Sequence, residues 1–167
     1  MHDNLIRDLF RYLANKGGFT VGEAQYDIER RIEELPLPLD VKRLLQWEWP
    51  TTTVEVGPYT LYPPEAVLGH NDLDELLTAK MLPVGHALNG DILVIFFPDE
   101  DQAGVGLVSH EELWSEETTP DLAYVQITAS IEEYLYRAAE GRFLPIDSYS
   151  ANELAAVKSD MRELDGA

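Results

Sequence analysis

The chain has no cysteine among its 167 residues. That absence removes disulfides, thiolate zinc sites, iron–sulfur ligation and cysteine nucleophiles together. Positive charge is scarce: 12 Lys and Arg stand against 31 Asp and Glu, a formal net charge of −19. A field of that sign repels phosphate backbones and anionic headgroups, so nucleic acid and membrane are excluded as direct ligands. Long apolar runs are missing too. The longest, Ile92–Phe97, is about a third of a spanning helix. Met1-His2-Asp3-Asn4 lacks the basic start of a secretion signal, and Leu164-Asp165-Gly166-Ala167 matches no lipidation signal, so a cytoplasmic location is expected.

Motifs of catalysis are equally sparse. No G-x-S-x-G is present, and Val108-Ser109-His110 does not form a nucleophile elbow. Lys16-Gly17-Gly18 closes a helix, whereas a phosphate cradle opens one. His2, His70, His86 and His110 never stand three or four apart, so no local metal-ligand pair exists. His110-Glu111-Glu112 is not the H-E-x-x-H motif and reads as a cap on a strand end. Pro98-Asp99-Glu100-Asp101 lacks the regular oxygen offsets of a calcium loop and reads as a solvated hairpin loop. No catalytic residue, metal or cofactor is expected. An enzyme would need a cleft that gathers His70, His86 or His110 with carboxylates.

What is present is acidity of uneven distribution. Residues 1–43 carry seven basic and eight acidic side chains, whereas residues 44–167 carry five and twenty-three, a net of −18. Between Lys80 and Arg137 no Lys or Arg occurs, yet Asp91, Asp99, Glu100, Asp101, Glu111, Glu112, Glu116 and Glu117 lie there. A surface of one sign solubilises, and it also steers a basic partner and rejects wrong ones. Charge alone does not choose between these roles. Trp47 and Trp49 bracket a helix-to-strand junction, and Trp114 stands among the acids of 111–117. Each packs in the core or, if exposed beside the acids, anchors an interface.

Periodicity gives the architecture. Leu5, Ile6, Leu9, Phe10 and Leu13 predict a first helix stopped at Gly17-Gly18. Thr20-Val21-Gly22-Glu23 has the capping-box pattern for a second, with Ala24, Ile28 and Ile32 inward and Pro36 as its end. Pro38 opens a third helix that buries Leu39, Val41, Leu44, Leu45 and Trp47. Thr51–Val56 and Tyr59–Tyr62 read as a hairpin around Gly57-Pro58, followed by short helical turns at 63–65 and 72–77. Leu82–Gly85, Ile92–Phe97, Gly104–Val108 and Leu122–Ile127 are strands. The unbroken apolar run at 92–97 demands cover on both faces and so a central position. Gly104 and Gly106 predict a bulge or a close backbone approach. Ser130-Ile131-Glu132-Glu133 and Ser150-Ala151-Asn152-Glu153 are two more capping boxes, each opening a helix, and the apolar Phe143-Leu144-Pro145-Ile146 between them is expected to pack. The fold class is therefore α+β: a mostly antiparallel central sheet of four to six strands with helices packed on one side. A chain of this length forms one domain, 1–167, and buries roughly 70% of its unfolded surface without staples.

Several segments in order resemble the SUKH superfamily. Glu33–Leu45, with Leu35-Pro36 and Asp40, resembles that family's helix, "LP", acidic-residue, helix opening. Leu61-Tyr62-Pro63-Pro64-Glu65 resembles its "lyspeel" segment, and Met81–Gly85 with Asn89-Gly90-Asp91 resembles its "PIG … GGD" centre. Gly106–Glu111 is similar to its "VYLVDHE" strand, and Ser130–Leu135 to its "SFEEFL" helix. The chain departs at Glu48-Trp49-Pro50, where members often carry "NGG". The likeness spans 22–140, leaving a helical extension at 1–19 and a helical arm at 143–167 outside it. It implies an α+β fold and no enzymatic activity. Bacterial members are mostly assigned as immunity proteins that neutralise a toxin, often a nuclease; fungal relatives regulate cell-wall synthesis through protein partners. The expected function is thus binding of a basic, nuclease-type toxin through the acids named above together with Trp47, Trp49 and Trp114. The alternative is a regulatory or scaffold module for a cellular protein, and self-association into a homodimer is compatible with both.

Overall fold

A computed structural model describes residues 3–113, 119–142, 144–145, 147–148 and 150–152. Helix α1 (Asp3–Gly17) turns Ile6, Phe10, Leu13 and Ala14 inward and ends beside Gly18, whose φ of 71° lets the chain reverse. Strand β1 (Val21–Gly22) follows, then α2 (Tyr26–Glu33), α3 (Leu39–Trp47) and β2 (Trp49–Pro50). β1 and β2 form a small antiparallel sheet, Val21 opposite Pro50 and Gly22 opposite Trp49. This overturns the capping box expected at Thr20–Glu23. Thr20 instead accepts the Thr51 backbone N–H at 3.0 Å, and α2 starts after Gln25 with no side-chain cap. Backbone pairing with a distant segment thus takes the place of a helix start at Thr20–Glu23.

α3 corrects a second expectation. Val41, Leu44 and Leu45 are buried as read, but Leu39 and Trp47 are exposed. Gln46 is buried instead, its amide donating to the Glu29 carbonyl at 3.1 Å and the Glu33 carboxylate at 2.9 Å. A polar group is tolerated there because both donors are matched, and the pair of bonds clips α3 to α2.

The main sheet is a six-stranded antiparallel meander in chain order: β3 (Val54–Val56), β4 (Tyr59–Leu61), β5 (Met81–Ala87), β6 (Ile92–Asp99), β7 (Gln102–Val108) and β8 (Tyr124–Thr128). The continuous apolar β6 is internal, as its pattern required. Its hairpin with β7 is tighter than the loop read at 98–102, since Asp99 already pairs with Gln102 and accepts the Asp101 N–H at 2.9 Å. β8 starts two residues later than read, because Pro120–Ala123 forms a short helix. The short helices are α4 (Pro64–Leu68), α5 (Leu73–Thr78), α6 (His110–Leu113) and α7 (Pro120–Ala123); α8 (Ile131–Glu140) follows β8.

Two apolar clusters sit on the two faces of the sheet. The larger joins Leu82, Val84, Leu93, Ile95 and Leu107 to α1, α2, α3, α4 and α8. The smaller joins Met81, Ile92, Val94 and Val108 to Leu76, Leu113 and Ala123 of α5, α6 and α7. The α+β class and antiparallel sheet are as expected, with one refinement: the longer helices share one face, and short helices cover part of the other. No helix among the described residues is long and apolar enough to cross a membrane.

α8 follows its local signals closely. Ser130 Oγ accepts the Glu133 N–H at 3.1 Å, the Glu133 carboxylate reaches back to the Ala129 N–H at 2.8 Å, and Gly141 closes the helix with φ of 67°. Ser130→Ala is expected to lower stability by about 1 kcal/mol, read as a shift of the urea midpoint at constant slope. The third capping box is displaced. Residues 148 and 150–152 are helical, Asp147 accepts the Ser150 N–H at 2.7 Å, and Ser150 Oγ accepts the Asp147 N–H at 3.2 Å. The cap is therefore Asp147; the expected continuation from Glu153 lies outside the described residues. Of the link expected to pack, Leu144 is buried and the Pro145 carbonyl accepts from the Tyr59 hydroxyl, whereas Phe143 and Ile146 lie outside the described residues.

Candidate functional site

The acids read as one face are divided by the fold. Asp99, Glu100 and Asp101 sit at the β6–β7 turn, whereas Glu111 and Glu112 begin α6 beyond the other end of β7. A strand of that length separates the groups by roughly 20 Å. All five are exposed. Trp114, Glu116 and Glu117 lie outside the described residues.

Two predicted contact residues are corrected outright. Trp49 is 3% exposed; its indole N–H donates to the Tyr62 carbonyl at 2.8 Å and its ring meets Phe10 edge-on at 5.3 Å. A side chain so enclosed is part of the core and touches no partner. Trp47, two residues earlier on the outer face of α3, is 47% exposed and stays available.

Asp91 is the second correction. It is 1% exposed and accepts from the Ser148 hydroxyl at 2.6 Å, the Ser148 N–H at 2.8 Å, the Asn89 amide at 3.0 Å, the His110 N–H at 3.1 Å and His110 Nδ1 at 2.7 Å. Burial by itself pushes this carboxyl upward. The bonds from Ser148, His110 and Asn89 outweigh it together and hold the group down at about 2. Asp91 is thus a structural anion joining the β5–β6 turn, the start of α6 and the start of the C-terminal helical segment. Nothing local in Asn89-Gly90-Asp91 announces this, because Ser148 is 57 residues away.

Around the β6–β7 turn the fold builds what the sequence did not show. A cleft of about 540 Å³ is lined by Asp40 from the first turn of α3, Glu100 and Asp101 from the hairpin, and Glu132 from the first turn of α8. Leu5 of α1, Pro38 and Phe96 supply apolar wall, and no Lys, Arg or His lines the cleft among the described residues. Leu5 and Leu39 expose apolar surface at its rim and beside it. Helix starts favour carboxylates because their free N–H groups point toward them. Asp40 and Glu132 are far apart in sequence and line one cleft because α3 and α8 pack on the same face of the sheet. Chemically, the cleft can hold a guanidinium or ammonium group between carboxylates with its aliphatic stem on apolar wall. No cluster of three or more metal-ligating side chains occurs among the described residues.

Comparison with family models, curated proteins and solved structures gives no match in any of the three.

Proposed function

We propose that this chain is a non-enzymatic protein-binding domain whose acidic cleft receives a basic segment of another protein. In line with the SUKH-like segments, the partner is a cognate toxin of nuclease type. The observation that carries the reading is the convergence of Asp40 with Glu100 and Asp101 of the hairpin, from separate parts of the chain, on one cleft whose described lining holds no Lys, Arg or His. A nuclease must hold phosphates and so presents a basic cleft, and an acidic insert or cover is its electrostatic complement. Half-exposed Trp47 and the exposed Leu5 and Leu39 give the surrounding surface apolar contact area.

The test is association kinetics with the product of the neighbouring reading frame, together with survival on co-expression. Steering by a −19 chain predicts an association rate that falls at least about tenfold from low to physiological salt. The triple variant Asp40→Asn, Glu100→Gln, Asp101→Asn is expected to slow association roughly tenfold at low salt and to leave the melting temperature unchanged within a few degrees. A rate indifferent to salt and to these three substitutions would remove the cleft from the interaction. Failure of the neighbouring product to bind at all would remove the toxin assignment.

A further inference from the structure

At the other end of β6 a second cleft, of about 370 Å³, is lined by Tyr62, His70, Asp72, Gly90, Ile92 and His110. Its two imidazoles are held in opposite tautomers. His70 Nδ1 accepts the Asp72 N–H at 3.1 Å, so its proton resides on Nε2. Burial, opposed by the nearby Asp72 charge, lowers the pKa of His70 and keeps the ring neutral near pH 7. His110 Nδ1 lies 2.7 Å from Asp91, a carboxylate that can only accept, so Nδ1 carries the proton. Whenever that ring is uncharged its lone pair is on Nε2, across the ring from Asp91. The side chain is 35% exposed and lines the cleft.

With both rings uncharged, one offers an N–H and the other a lone pair. The walls are fixed around them. The Tyr62 hydroxyl is bonded to His86 Nδ1 at 2.5 Å, and its ring stands 6.4 Å from that of His70. A Cβ on Gly90 would stand 3.9 Å from the His110 ring atoms, so the glycine leaves that side of the imidazole without a neighbouring side chain from position 90. Asp72 is among the lining residues, Asp91 is bonded to His110 Nδ1, and no Lys or Arg lines the cleft among the described residues. Anions are disfavoured there.

We infer that this cleft binds an uncharged, hydroxyl-bearing ring compound of the sugar or nucleoside kind. A ligand hydroxyl donates to His110 Nε2, an adjacent ligand oxygen accepts from His70 Nε2–H, and the apolar face of the ring lies on Tyr62 and Ile92. A ring with adjacent oxygens supplies both a donor and an acceptor, and the site is independent of the acidic cleft at the opposite end of the sheet.

The experiment is histidine-selective ¹H–¹⁵N NMR on the full chain at pH 7.5, titrated with glucose in one arm and adenosine in another. Glucose 6-phosphate and adenosine monophosphate are the anionic controls. Saturable movement of the Nε2 signals of His70 and His110 by one neutral probe is expected, and the arm that responds names the source. The matching phosphate should bind at least about tenfold more weakly. His110→Asn keeps an N–H for Asp91, and His70→Asn keeps an acceptor for the Asp72 N–H, because an asparagine amide overlays the Nδ1 half of an imidazole. Each variant removes only the cleft-side nitrogen and should weaken binding roughly tenfold. Should His110→Asn fail to fold, His70→Asn decides alone. No saturable movement with either neutral probe up to tens of millimolar, equal response to the phosphates, or full binding by the asparagine variants would each overturn the site.

Discussion

Asp91→Asn is expected to destabilise the fold by about 3 to 5 kcal/mol, although it changes a few atoms on a chain that carries 31 acidic residues. Every group that faces this carboxylate is a donor: the Ser148 hydroxyl and N–H, the Asn89 amide, and the His110 N–H and ring. An asparagine amide would turn its own NH2 toward one of these sets, leaving donors opposed and unsatisfied inside the protein. Urea denaturation should show the loss, and hydrogen exchange at Ser148 and Ala151 should accelerate first, since Asp91 is what fastens that helical segment to the sheet. Wild-type stability at the parent level in the variant would mean that Asp91 merely occupies space.

The same residue sets an acid limit. Its pKa is depressed in the folded chain, from 3.8 to about 2. A depressed carboxyl contributes stability that is complete above its unfolded value and disappears as pH falls through its folded value. Asp91 therefore contributes roughly 2 kcal/mol at neutral pH, lost between about pH 4 and pH 2. In Asp91→Asn this component of the stability–pH curve should be missing, while the baseline drift from the exposed acids persists.

The second large effect is at Gly85 in the bulged part of β5. A Cβ there would stand 2.0 Å from the Thr60 carbonyl oxygen and 3.0 Å from its carbon. The obstacle is the backbone of β4, which cannot swing aside as a side-chain tip can. Gly85→Ala must push β4 from β5, and with it the β3–β4 hairpin, at a cost of about 3 kcal/mol or more. Gly104→Ala is the internal control. Its Cβ would meet chiefly the Gln126 side-chain amide at 3.0 Å, the end of an exposed and flexible side chain, with the Thr128 carbonyl at 3.2 Å, and replacing glycine in a strand lowers the entropy cost of folding. A change within about 1 kcal/mol is expected there. Equal midpoints for the two variants in urea would show that β4 yields easily.

These two residues mark where sequence reading reached and where it stopped. Gly104 and Gly106 were legible as close-approach positions, and the Tyr124 ring indeed covers Gly106, where a Cβ would stand 2.2 Å from it. Gly85 gave no such signal, because its neighbour across the sheet is set by the pairing of β4 with β5. The capping box at Ser130 formed as read because nothing else competes for its donors, whereas Thr20–Glu23 lost to pairing with Trp49–Pro50. Leu39 and Trp47 have the spacing of buried residues, yet α3 is rotated to seat Gln46 against α2.

What the sequence determined by itself follows from local physics: the α+β class, the internal place of the apolar run Ile92–Phe97 in β6, the positions of most helices, and a strongly negative charge. Only the tertiary structure decided which acids act together. Asp40 and Glu132 joined the hairpin carboxylates, Glu111 and Glu112 were carried to the far end of β7, and Asp91 and Trp49 were drawn inside. Charge is written along the chain, but burial and neighbourhood are properties of packing, and packing brings together residues that no local pattern connects.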